Sequence, residues 1–211
     1  MPVYQLNAII SATDLATITQ AGLNIALIKI TDSGKPLVWA SFAPFENNTI
    51  QWQELYTLYA SPIGAWPVVS VLSQTQQAVP QQNYTFQSSG AFSPPVQDPS
   101  IGANVYEVTN QYSGSASMVF GLAQGVSINT VASPGNPINA QPVPLNTMGQ
   151  FTPLNRVIIY LQGQVSSPQG RLRSTMALLK VISKGTTIDF SNYVSPITVT
   201  YQSSLGMFVQ G

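Results

Sequence analysis

Cysteine and histidine are both missing from these 211 residues, and charge is scarce, with seven acids and seven bases in the whole chain. Without cysteine there is no disulfide framework, no thiolate nucleophile and no sulfur metal site. Without histidine the commonest metal ligand and the usual general base near neutral pH are gone. Nucleophilic catalysis of the Ser-His-Asp or Cys-His kind is therefore excluded, and no cofactor or metal is expected. Charged residues make up 7% of the chain, against about a quarter in an average domain. Serine, threonine, asparagine and glutamine supply the polarity instead. A surface of this kind repels its own copies weakly, which favours self-association or contact with a neutral, hydroxyl-rich partner such as a glycan.

Other absences narrow the field further. No stretch approaches the ~20 apolar residues of a membrane-spanning helix. The start, Met-Pro-Val-Tyr-Gln-Leu-Asn, lacks the basic region and apolar core of a signal peptide, so a cytoplasmic location is expected. No glycine pattern for phosphate or dinucleotide binding is present. Arg171 and Arg173 form too small a basic cluster for nucleic acid. Paired carboxylates are the remaining acid and base route, but Glu46 and Glu54 on a straight strand would lie roughly 27 Å apart, too far for glycoside hydrolysis. A non-enzyme is expected.

The few charges are unevenly placed. Residues 1–155 hold Lys29 and Lys35 against Asp14, Asp32, Glu46, Glu54, Asp98 and Glu107, two bases to six acids and a net of minus four. Residues 156–211 hold Arg156, Arg171, Arg173, Lys180 and Lys184 against Asp189, a net of plus four. Opposite signs allow either docking of one copy on the next, with Arg156, Arg171 and Arg173 meeting Glu46 and Glu107, or a charge match within one fold.

What is abundant is strand chemistry. Thr49 to Tyr59 places Ile50, Trp52, Tyr56 and Leu58 on one face of an extended segment, between Asn47-Asn48 and Ser61-Pro62-Ile63-Gly64. Val3 to Ile10 alternates in the same way. Thr13 to Gly22 is the one helical pattern, with Thr13 as N-cap and Gly22 as C-terminal stop. Asn24 to Thr31 and Leu37 to Phe42 flank Asp32-Ser33-Gly34-Lys35 as a hairpin, and with the strand at 49–59 they make an antiparallel meander.

Further strands are expected at 67–73, 84–87 and 103–109. Another pair, 116–123 and 126–131, would turn at Gln124-Gly125. Ser133 to Pro144 carries four prolines and reads as a loop. Arg156 to Val165 is apolar on both faces and reads as a central strand. Segments 176–182, 186–190, 197–201 and 205–209 bring the total to about a dozen strands. The expected fold is all-β, an antiparallel β-sandwich with one short helix. It is either one compact domain or two subdomains, 1–132 and 147–211, divided by the proline-rich stretch 133–146.

Three functions fit these patterns. A structural protein that assembles with its own copies as an oligomer, coat, filament or inclusion fits the low charge and the opposite-sign halves. A lectin-like module fits Trp52, Glu54 and Tyr56, a carboxylate between two rings, with Trp39 or Trp66 added; the same residues also fit ordinary core packing. A membrane-active toxin fits the uncharged, alternating segment 111–133, although soluble antiparallel hairpins alternate identically.

Overall fold

The computed structural model describes residues 3–62, 69–163, 183–192 and 194–211. The chain runs β1 (Val3–Ile9), α1 (Ala12–Gln20), β2 (Leu23–Thr31), β3 (Lys35–Pro36), β4 (Val38–Phe42), β5 (Asn47–Gln53) and β6 (Tyr56–Pro62). It continues through β7 (Ser73–Gln74), β8 (Gln82–Phe86), β9 (Val96–Gln97), β10 (Tyr106–Asn110), β11 (Ser117–Ile128) and β12 (Val131–Pro137). The last elements are β13 (Asn139–Pro144), β14 (Met148–Phe151), β15 (Pro153–Gly163), β16 (Thr186–Asp189), β17 (Ile197–Gln202) and β18 (Met207–Gln210). The fold is all-β with one short helix, as its alternating sequence requires.

The strands form three sheets. The largest has ten, in the order β18-β17-β1-β5-β11-β13-β3, with β12 and β6 also on β11 and β7 on β6. Two four-stranded sheets run β14-β10-β8-β9 and β16-β15-β2-β4. The large sheet is curled because β5 and β6 both pair with β11, β5 at Ser127 and Ile128 and β6 along Met118 to Gln124. The main core lies between the three sheets, and two smaller buried clusters are separate from it. Leu6, Ile50 and Val199 come to the main core from the large sheet, Leu27 and Ile159 from one small sheet, and Phe86 and Phe151 from the other.

Local chemistry sets several of these elements. Ser11 caps α1: its hydroxyl accepts from the Asp14 N–H at 3.1 Å and donates to the Asp14 carboxylate at 2.9 Å. The cap therefore lies two residues before Thr13, and Gly22 ends the helix region at φ +65°. β15 sits between β16 and β2, the central place its apolar faces predict. Gly121 is required by close approach: a Cβ there would stand 2.1 Å from the Asn139 carbonyl oxygen, which already accepts the Tyr59 hydroxyl.

Several expectations are corrected. The stretch 49–59 is two strands, and β5 pairs with β1 and β11 rather than extending the β2–β4 hairpin into a meander. Two pairings, β1 with β17 and β8 with β10, are parallel, so the sheets are not purely antiparallel. β11 runs unbroken through Gln124-Gly125, where the register slips by a bulge. The turn falls instead at Asn129-Thr130, both with positive φ, as a tight two-residue hairpin needs. From Met118 to Gln124, β11 is buried on both faces, so neither face of this part of the proposed toxin hairpin is open.

The stretch 133–144 is also strand, not loop. Leu145 N–H donates to the Ala116 carbonyl at 2.9 Å, so odd-numbered residues of β13 point their N–H groups at β11. Pro142 and Pro144 are even-numbered and face away, where a missing donor costs no ladder bond. The strand expected at 176–182 lies outside the described residues; of the one expected at 67–73, residues 69–72 are not strand and Ser73 begins β7.

Candidate functional site

A corner in the chain builds the most chemically distinctive cluster. The Leu55 N–H donates back to the Gln53 carbonyl at 2.8 Å, an i to i+2 turn that breaks the run between β5 and β6. Trp52 and Tyr56 therefore straddle Glu54 and both donate to it. The indole Nε1 reaches Oε1 at 3.1 Å, and the Tyr56 hydroxyl donates to Oε2. Lys29, from the middle of β2, completes the set: its Nζ donates to Glu54 Oε1 at 2.7 Å and lies 5.4 Å from the centre of the Trp52 ring.

Rings close the cluster on its sides. Tyr4 stacks on Trp52 at 5.8 Å, while Trp39 at 5.5 Å and Phe190 at 5.0 Å meet it nearly at right angles. Tyr106 packs against Tyr56 at 5.6 Å. Trp39 is further tied by its Nε1, which donates to the Gln124 carbonyl at 2.9 Å. Exposure is 4% for Trp52, 2% for Tyr56 and 1% for Trp39, so their ring faces meet protein and are not open to stack on a pyranose. Trp66 lies outside the described residues.

Burial controls the electrostatics. The Lys29 side chain is fully buried and that of Glu54 is 22% exposed. Desolvation holds the Lys29 amine below its ordinary value, opposed by the charge and hydrogen bond of Glu54. Burial raises the Tyr56 hydroxyl well above its ordinary value, and the neighbouring Glu54 charge adds to this. Tyr106 is raised for the same two reasons. Both phenols thus stay protonated, and Tyr56 serves as a donor to Glu54.

The residues expected to pair charges between copies are scattered. Arg156 Nε bonds the Asp189 carboxylate at 2.9 Å across the β15–β16 register, so this half-exposed pair closes within the C-terminal part. Glu46 is exposed in the loop before β5. Glu107 is only 5% exposed, and its carboxylate accepts from the Asn83 amide and, at 2.7 Å, from the Gln150 amide. It is satisfied inside the fold and offers little to a partner. Arg171 and Arg173 lie outside the described residues.

A second feature is the outward side of the large sheet. Gln5, Asn7, Thr49, Gln51, Thr198 and Thr200 share it, and a relay of amides runs across three strands. Gln51 donates to Gln5 at 2.8 Å, Gln5 to Asn7 at 2.9 Å, and Asn7 to the Thr198 hydroxyl at 3.5 Å. Val3 and Ile9 stand exposed at its two ends. Beside Val3 a groove of about 340 Å³ opens where β5 and β6 part, lined by Gln51, Leu55, Val126, Ala132 and Ser133. β1, β5, β17 and β18 contain no charged residue.

Comparison with known proteins finds no matching family model, no similar curated protein and no similar solved structure. No metal-binding group of His, Cys, Asp or Glu occurs among the described residues, and no helix there is long and apolar enough to cross a membrane. Lys29 was the residue missed from sequence. Its signal was present, because a lysine shares the parity of Ile25 and Leu27 in an apolar strand and so points into the core.

Proposed function

We propose that this chain is a non-enzymatic structural protein that assembles with copies of itself through the outward face of its large sheet. The observation that supports it is a broad β surface whose four strands carry no charge and whose side-chain amides are already joined laterally. Such a face loses little on being covered, because no ion must be stripped of water and the amides keep partners within their own sheet. Val3 and Ile9, exposed at its ends, supply apolar area to bury. Charge pairing between halves is not required. Arg156 is engaged locally and Glu107 is enclosed, so the neutral face bears the contact.

The test is light scattering of the pure protein over a range of concentrations and salt. The reading expects a mass that is a multiple of 22.6 kDa and that moderate salt leaves unchanged, since screening acts on charges this face does not have. A single-chain mass at every concentration overturns it. Electron microscopy of the same sample then distinguishes ring, filament or lattice.

A second reading, a module for neutral carbohydrate, is supported by the same amides and hydroxyls, which match sugar hydroxyls as donors and acceptors. Its site is this face and not the enclosed Trp52 cluster. A glycan array on the monomeric fraction separates the two readings, and an empty array removes this one.

A further inference from the structure

Lys29 is poorly served as an ammonium ion. It has three N–H donors and no exposed surface, yet among the described residues it makes one hydrogen bond, to Glu54 Oε1. The ring of Trp52 offsets part of its charge but takes none of its donors in a hydrogen bond. An ion pair buried this way costs desolvation that a single contact recovers incompletely. The two groups have another way to lose their charges.

We infer that Lys29 and Glu54 join, without any other enzyme, in an isopeptide bond between Nζ and the Glu54 side-chain carboxyl carbon. Within the cluster a proton passes from the ammonium to the carboxylate and comes to rest on Oε2, leaving a neutral amine beside a carboxylic acid whose Oε2 needs one further proton to depart as water. The amine attacks the carboxyl carbon, which is one bond from the oxygen it already touches at 2.7 Å. Oε1 takes the negative charge of the tetrahedral intermediate, and the Trp52 indole N–H, 3.1 Å away, stabilises it there. The C–Oε2 bond breaks, and the Tyr56 hydroxyl, which donates to Oε2, passes its proton to the departing oxygen. The phenolate takes back the proton that the nitrogen sheds. One ammonium and one carboxylate become one amide and one water, with no net proton exchanged and no redox partner.

Geometry and environment both favour this step. Fixing the reactants in contact supplies an effective concentration on the order of 10⁵ M or more. The fully buried Lys29 side keeps water from the nitrogen, while the 22% exposed Glu54 side gives the released water a way out. Burial lowers the basicity of Lys29, which eases loss of the proton its amine must give up, and keeps the Tyr56 phenol protonated until the oxygen departs. The product retains the hydrogen bond from Trp52 to Oε1, now the amide carbonyl. In a chain with no cysteine it would tie β2 covalently to the corner between β5 and β6.

The experiment is intact mass spectrometry of the full chain after denaturation. The expected mass is lower than the sequence mass by one water, and proteolysis yields a branched peptide joining Lys29 to Glu54. Lys29 then resists acetylation in denaturant. A mass equal to that of the sequence, with Lys29 acetylated in denaturant, overturns the proposal, as does a water loss mapped to any other residue. The Tyr56→Phe variant, checked for its fold by circular dichroism, is expected to accumulate uncrosslinked chain. Crosslinking as complete and as fast as in the parent overturns the role given to Tyr56. None of these readouts depends on self-assembly, so this proposal and the one above fail separately.

Discussion

The ten-stranded sheet and the four-stranded sheet β16-β15-β2-β4 handle polarity in opposite ways. Across its ten strands the large sheet holds one charged residue, Lys35 on the short β3, and its outward polar groups are mainly amides and hydroxyls. The small sheet carries Lys29, Arg156 and Asp189 on three of its four strands, and the ion pairs Lys29–Glu54 and Arg156–Asp189 both involve it. The difference teaches what each device does. Charges tie particular strands together, one pair in the core and one in water. Amides leave a broad face satisfied but easily covered, and that is the property an assembling surface needs.

The largest effect should come from breaking the buried charge. Glu54→Ala leaves Lys29 a buried ammonium with no hydrogen-bond acceptor among the described residues and without the proposed amide, and a cost of at least about 3–5 kcal/mol is expected, read from the midpoint of urea unfolding. A loss of under ~1 kcal/mol, typical of surface pairs, would show that the cluster is more hydrated than its burial implies.

Next in size is a charge placed on the neutral sheet. Gln51→Lys with Thr49→Lys puts two ammonium groups where copies are proposed to meet, on a strand position that tolerates polar side chains. Light scattering should fall toward the single-chain mass of 22.6 kDa, while circular dichroism stays that of the parent. Unchanged assembly would move the contact to another surface.

The smallest effect belongs to the exposed pair. The Asp189 carboxyl is held down at about 2, below its ordinary 3.8, by bonds from the Ser191 hydroxyl and N–H first and from Arg156 next. A depressed carboxyl contributes stability that is complete above its unfolded value and is lost as pH falls from there through about 2. Because Ser191 remains, Arg156→Ala should lower the neutral-pH unfolding midpoint only slightly, and the difference from the parent should close as pH falls toward 2. An acid titration of both proteins by far-ultraviolet circular dichroism checks this.

Much of this fold was legible. Alternation of Tyr4, Leu6 and Ala8 marks β1, and apolar residues on both faces of 156–163 mark a strand covered on both sides, because these patterns are local consequences of a two-residue period. The corner at Glu54 was not legible, since Gln-Glu-Leu contains neither glycine nor proline. The turn at Asn129-Thr130 was hidden because a β-branched threonine rarely takes positive φ, and Gln124-Gly125 looked the better turn. Proline at 142 and 144 argued against a strand, yet parity and a free neighbouring edge make both harmless. Of the expected sugar site, the residues Trp52, Glu54, Tyr56 and Trp39 do come together. Their orientation was the missing information: they meet around Lys29 inside the core.

The sequence alone determined that this chain would be β-rich, almost uncharged, and without thiol or imidazole chemistry, for composition is a sum over residues and alternation is a local pattern, and neither needs a partner. Only the tertiary structure decided which strands lie side by side, that Lys29 would find Glu54, and which faces would be left open. Those outcomes depend on residues far apart in sequence meeting in space, and the local pattern of a strand says which face is apolar but not what will cover it.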